Sequence, residues 1–143
     1  MPNDVDLEIM VRLSFAALLG ALIGAERQRR DRAAGLRTYM LVAIGAALFG
    51  VISLFGFRPA GGPTPDATRI AAQVVTGIGF LGAGVVLRDE HGVRGVTTAA
   101  GIWAMAAIGL AAGAGMYWTA AFATILVLLV LLLLRQIERV IHD

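Results

Sequence analysis

The chain has 143 residues, 58% of them hydrophobic, with a formal net charge of +2 and no cysteine. Soluble domains average roughly 45–50% apolar residues, so the excess points to a membrane, and the lack of cysteine excludes disulfides and thiolate metal sites. All twelve basic residues are arginines, set in short segments between apolar runs, which argues against a nucleic-acid partner.

The gaps between charges set the elements, since roughly 20 helical residues cross a bilayer core. Helix 1 covers about 7–25 and contains Glu8 and Arg12, with Arg12 near enough to its start to snorkel to the surface. Ala16, Gly20 and Gly24 stand four apart on it, a small-residue ridge of the kind that lets helix backbones touch in lipid. Glu26 follows directly and begins Glu26-Arg27-Gln28-Arg29-Arg30. It is expected to pair with Arg37 across the loop; a headgroup-level carboxylate and a cation or proton site are the alternatives. Helix 2 covers 38–57 and opens at Thr38. The next loop, 58–66, is rich in Pro and Gly, with Thr64 and Pro65 as cap and first turn of helix 3.

Helix 3 covers 70–87 and holds Gly77, Gly79, Gly82 and Gly84 within eight residues. The spacing matches a dinucleotide fingerprint, but that motif needs a preceding strand and a polar turn. No residue from Ile70 to Leu87 is ionisable, so the glycines read as helix-packing positions. Gly77 and Gly84 share a face near Gln73, Thr76 and Phe80, while Gly79 and Gly82 point elsewhere. Helix 3 is therefore expected to be central, with close-packing surfaces on two sides. Gln73 is the one amide inside any span, so it should bond across helices or line a polar cavity. Asp89 and Glu90 read as solvated loop charges. Helix 4 covers 96–112, follows Gly95 with Val96-Thr97-Thr98, and carries Gly109 and Gly113 as a second small-residue ridge. Trp103 within it reads as a packing residue. A turn at 112–115 leads to Tyr117 and Trp118 as interfacial anchors and to helix 5, 116–134.

The fold class is all-α: a polytopic membrane protein of five transmembrane helices in a single domain, 1–143. Nine arginines fall on the side of the first loop, third loop and C-terminus, against three on the other. That asymmetry places the C-terminus in the cytoplasm and the N-terminus outside, and no basic leader or cleavage site marks a signal peptide. A shift of sixty superposes Gly24 on Gly84, Gly35 on Gly95, Thr38 on Thr98 and Ala46-Ala47 on Ala106-Ala107. Helices 1–2 and 3–4 then form a parallel internal repeat, or the alignment is chance in a chain so rich in Gly and Ala. No catalytic set is visible: His91 and His142 are isolated, and Ser14 and Ser53 lie in apolar spans. The chain is expected not to be an enzyme and to need no cofactor or metal.

The blocks Gly20-Ala-Leu-Ile-Gly-Ala-Glu-Arg-Gln28, Gly35-Leu-Arg-Thr38, RIAAQVVTGIGFLGAGVVLR (69–88) and Gly95-Val-Thr-Thr-Ala-Ala100, followed by Ile102-Trp103, resemble the MgtC/SapB family of bacterial inner-membrane proteins. The resemblance runs in order from about residue 10 to 115. It implies a helical membrane domain and a link to low-magnesium adaptation and acid stress. It also implies that virulence-type members restrain the F-type ATP synthase and do not pump magnesium. Asp89 falls where such members carry an acidic residue. Thr97 and Ala104 depart from the Asn and Cys of virulence-type members, and the chain resembles a short form without the soluble C-terminal domain of many members. The expected function is that of a small accessory or regulatory membrane protein. Its expected partners are lipids, a second copy of itself and a membrane protein. Glu26, Arg27, Arg37, Thr38, Gln73, Asp89, Thr97 and Thr98 are its candidate functional residues, and most lie at the cytoplasmic side. The alternative is an oligomeric magnesium or proton channel or transporter lined by helix 3.

Overall fold

The computed structural model describes residues 3–56, 66, 68–89 and 92–134. The expected cap at Thr64-Pro65, the loop charge Glu90, and His91 and His142 lie outside these residues, as does the side chain of Asp89. The chain forms α1 (Asp4–Gln28), α2 (Leu36–Val51), α3 (Thr68–Val85), α4 (Val96–Gly113) and α5 (Tyr117–Leu129). A wider π-type turn prolongs α2 over Ile52–Gly56 and α5 over Val130–Leu134. Two short antiparallel strands, β1 (Leu87–Asp89) and β2 (Gly92–Arg94), join α3 to α4, with Arg88 opposite Val93. Four helices are long and apolar enough to cross a membrane: Asp4–Gln28, Leu36–Gly56, Thr68–Val85 and Val96–Gly113. The fifth, Tyr117–Leu133, is apolar and shorter in its described part.

Local chemistry sets the helix starts. Asn3 Oδ1 accepts from the Asp6 amide at 2.9 Å while Asp6 Oδ2 accepts from the Asn3 amide at 3.2 Å, a reciprocal capping box. The start of α3 is held by Asp66, whose Oδ1 accepts from the Thr68 amide at 2.9 Å and from the Thr68 hydroxyl at 2.7 Å. Those two donors hold the Asp66 carboxyl below its ordinary value. Gly95 opens α4 in the left-handed region, φ +87°. A Cβ there would also overlap the Val85 carbonyl, so only glycine lets the hairpin close onto α4.

The central helix is α4, which packs against α1, α2, α3 and α5. α2 packs against both α1 and α4, and its ridge of Ala43, Ala46 and Ala47 is buried. A Cβ at Gly20 would stand 2.8 Å from the Tyr39 carbonyl oxygen, and one at Gly24 2.8 Å from Leu36 Cα. From α4, a Cβ at Gly109 would stand 2.5 Å from the Ala43 carbonyl oxygen, and one at Gly113 would overlap the Ala47 carbonyl. In lipid such close backbone approach supplies dispersion contacts that the hydrophobic effect cannot. The core between these helices contains Ala16, Ile23, Tyr39, Ala43, Ile102 and Met105.

The expected central position of helix 3 is corrected. On α3 only Ile78 is buried, and the helix lies on the outside against α4. Among the described residues, a Cβ at Gly77, Gly79 or Gly84 would meet nothing within 4 Å, and one at Gly82 would meet only Ala99 Cβ at 3.6 Å. The packing expected at Gly77, Gly79 and Gly84 is therefore not made by the described residues. Small residues permit close approach without choosing the neighbour, and the alanine ridge of α2 takes both. Trp103, expected to pack, is 56% exposed. Tyr117 packs edge-on against Phe15 with ring centroids 5.3 Å apart, while Trp118 is exposed.

Candidate functional site

Two buried arginines mark opposite ends of the bundle. At the hairpin end, the last turn of α1 supplies Glu26 and Arg27, the first turn of α2 supplies Tyr39, and the first turn of α4 supplies Thr97 and Thr98. Arg27 is 4% exposed. Its Nη2 donates to Thr98 Oγ1 at 3.3 Å, and its Nη1 lies 3.6 Å from Glu26 Oε2. The Tyr39 hydroxyl donates to the Thr98 carbonyl at 3.5 Å. Arg27 and Thr98, seventy-one residues apart in sequence, thus tie α1 directly to α4.

Glu26 is not paired with Arg37. Its Oε1 accepts from Arg30 Nε at 2.6 Å, and Arg27 lies on its other oxygen. Because α1 continues to Gln28, Arg30 sits four residues on and returns to the same side of the turn. Arg37 is exposed and Thr38 half-buried on α2. Gln28 has a role not read from the sequence. Its Oε1 accepts from the Leu36 amide at 3.1 Å, which supplies the cap that Gly35 cannot give to α2.

A cavity of about 640 Å³ opens beside Arg27. Arg32, Arg94, Asp31, Thr97 and Thr98 also line it. The chain joins these residues from the α1–α2 loop, β2 and α4, so proximity in sequence does not announce the set. The one available signal is the density of arginines around residues 27–32 and at 94.

At the opposite end Arg12 does not snorkel outward. It is 8% exposed, its Nη1 donates to the Gly113 carbonyl at 2.8 Å, and its Nη2 pairs with Glu8. The guanidinium lies over the Phe55 ring at 5.2 Å. The C-terminal carbonyls of α4 form the negative end of a helix dipole, and Arg12 is drawn in to meet them.

Gln73 is separate from both ends. It lies twelve residues before Val85, roughly 18 Å along α3 at 1.5 Å per residue. It is exposed on the wall of a groove of about 410 Å³ between α2 and α3, with Gly45, Phe49, Gly77 and Leu81. That groove is almost wholly apolar, not the polar cavity expected for the amide. The candidate residues of the sequence therefore divide into a hairpin-end group of Glu26, Arg27, Thr97 and Thr98, and the scattered Arg37, Thr38 and Gln73.

A family model described as the MgtC family matches residues 13–140. The chain belongs to the MgtC family. It is 50% identical over 135 residues to the protein MgtC of Salmonella typhimurium (strain LT2), a match covering 94% of this chain and 55% of that protein. It is 50% identical over 130 residues to the protein MgtC of Brucella abortus (strain 2308), covering 91% and 52%. It is 45% identical over 133 residues to the Escherichia coli (strain K12) protein named "Putative magnesium transporter YhiD", covering 91% and 62%. The chain thus spans little more than half the length of these MgtC relatives. No solved structure matches it.

Proposed function

We propose that this MgtC-family chain is a small inner-membrane accessory protein in adaptation to low magnesium or acid stress, acting by docking on a membrane partner such as the F-type ATP synthase. The observation that carries the reading is the closed core. Ala16, Ala43, Ala47 and Met105 are fully buried between the two arginine ends, and among the described residues no ionisable side chain lies between those ends. A cation route through a membrane usually carries such a group. Meanwhile α3 leaves its glycine face and the groove with α2 open to a neighbour. The arginine asymmetry supports a cytoplasmic hairpin end and C-terminus with the N-terminus outside. The role is non-enzymatic, and lipids and a second copy of the chain are further neighbours for the α3 face.

Reconstitution with purified F-type ATP synthase in liposomes tests this. ATP-driven proton pumping should fall when the chain is present and recover with Gly77→Leu, which fills the groove. Unchanged pumping would sink the reading. The alternative, an oligomeric magnesium or proton channel, draws on the name of the Escherichia coli relative and on Gln73 and Gly77, which an oligomer would have to close into a path. Magnesium or proton flux through liposomes holding this chain alone would favour it.

A further inference from the structure

We infer that the hairpin-end cavity is a binding site for a phosphate group. Among the described residues, three arginines, Arg27, Arg32 and Arg94, and one carboxylate, Asp31, line it. The neighbouring Glu26 is bonded through Oε1 to Arg30, with its Oε2 3.6 Å from Arg27.

Two independent features point to an anion. The first is the start of α4. Its first helical hydrogen bond is from the Ala99 amide to the Gly95 carbonyl, and no side chain caps it. The amides of Val96, Thr97 and Thr98 therefore have no acceptor within the helix. These three residues line the cavity. Uncapped amides and the positive end of the dipole together favour an anion. α2 differs, because Gln28 supplies its cap. The second feature is Arg27. Its side chain is 5% exposed, it lines the same cavity, and its Nε is buried with no hydrogen-bond partner. A guanidinium carries five donors, and its bond to Thr98 at 3.3 Å is at the long end of the usual range. Glu26 Oε2 balances its charge at 3.6 Å without a hydrogen bond, so the guanidinium keeps donor capacity for an anion beside it in the cavity.

The cavity's size and mixed lining suit a phosphate with part of what it is attached to. Val85, Leu87, Val130 and Leu131 form an apolar side beside the arginines. That lining accommodates an anionic phospholipid headgroup at the membrane boundary or a free phosphate. The site stands whether or not a protein docks on α3.

The full chain in a neutral detergent tests this. Native mass spectrometry compares retained cardiolipin and phosphatidylglycerol with phosphatidylcholine. Thermal melts are taken in parallel with millimolar inorganic phosphate and with chloride at equal ionic strength. Selective retention of the anionic lipids assigns the site to a headgroup, and stabilisation by inorganic phosphate alone assigns it to the free ion. Both effects should weaken in Arg32→Gln/Arg94→Gln, whose two arginines are exposed and whose removal leaves the core intact. Each arginine near an anionic group contributes about a factor of five, so roughly twenty-five-fold is expected for the pair. Arg29→Gln, exposed in the same loop and outside the cavity, is the control and should keep full binding. The inference is overturned if neither lipid nor phosphate discriminates, or if the double variant binds as the control does.

Discussion

Gly109 and Gly77 offer the sharpest test of the packing. Both lie inside helices, so replacing either by alanine gains up to about 1 kcal/mol of helix propensity. At Gly77 no described residue stands within 4 Å of the added methyl group, and that gain should be kept. At Gly109 the methyl would meet the Ala43 carbonyl oxygen at 2.5 Å, Ala46 Cβ at 2.9 Å and Ala43 Cα at 3.1 Å. Two of those atoms are backbone and none can swing aside, so α4 must move off α2. A gap of about 0.5–1 Å forfeits a quarter to a half of each contact along the seam, and overpacking typically costs about 1–3 kcal/mol. The propensity gain is common to both, so Gly109→Ala should be less stable than Gly77→Ala by the overpacking cost, about 1–3 kcal/mol. Fluorescence-detected size-exclusion melting in mild detergent measures the difference, expected as several degrees in Tm. A Gly109→Ala protein that melts at or above wild type would refute the α2–α4 seam. A fall at Gly77→Ala would place against α3 a neighbour that the described residues do not supply.

Three further outcomes are expected. Arg12→Gln removes the charged donor to the Gly113 carbonyl and should lower stability by about 1.5–3 kcal/mol, read as a Tm shift; an unchanged melt would mean that Arg12 is solvated. Glu26→Gln should cost about 1–3 kcal/mol through its bonds to Arg30 and Arg27, whereas Arg37→Ala should stay within about 0.5 kcal/mol; the reverse ranking would restore a Glu26–Arg37 pair. The Asp66 carboxyl is held below its ordinary value by Thr68, so its contribution is present above the unfolded carboxylate pKa and is lost as the pH falls through the lower folded value. Hydrogen exchange at the first amides of α3 should accordingly separate wild type from Asp66→Ala at neutral pH, and the separation should close in strong acid. A separation that persists there would show that the charge is not what holds the cap.

Much of the architecture was legible in the sequence because charge is expensive in lipid. The apolar gaps at 38–57 and 70–87 correspond to α2 and α3 to within a few residues, and the Gly-Ala-Gly turn at 113–115 separates α4 from α5. Less of the site was legible. Glu26 and Arg37 are opposite charges across a loop, and sequence distance made them partners. The extension of α1 to Gln28 gave Glu26 a nearer one. Arg12 read as a residue on its way out to water because its acceptor, the end of α4, lies about a hundred residues downstream.

The order of charged and apolar residues by itself determined that this chain spans a membrane and where its helices run, while the glycine-rich blocks carried the resemblance to the family whose model matches residues 13–140. Lipid admits only segments that satisfy their own backbone, and that demand is local. Tertiary structure alone decided that α4 is central and α3 peripheral, that Arg27 meets Thr98, and that Arg27 and Arg32 share a cavity with Arg94. Gly and Ala ridges license contact on any helix that carries them. Which ridge meets which is a matter of fit among all five helices, and that fit is not written in any one segment.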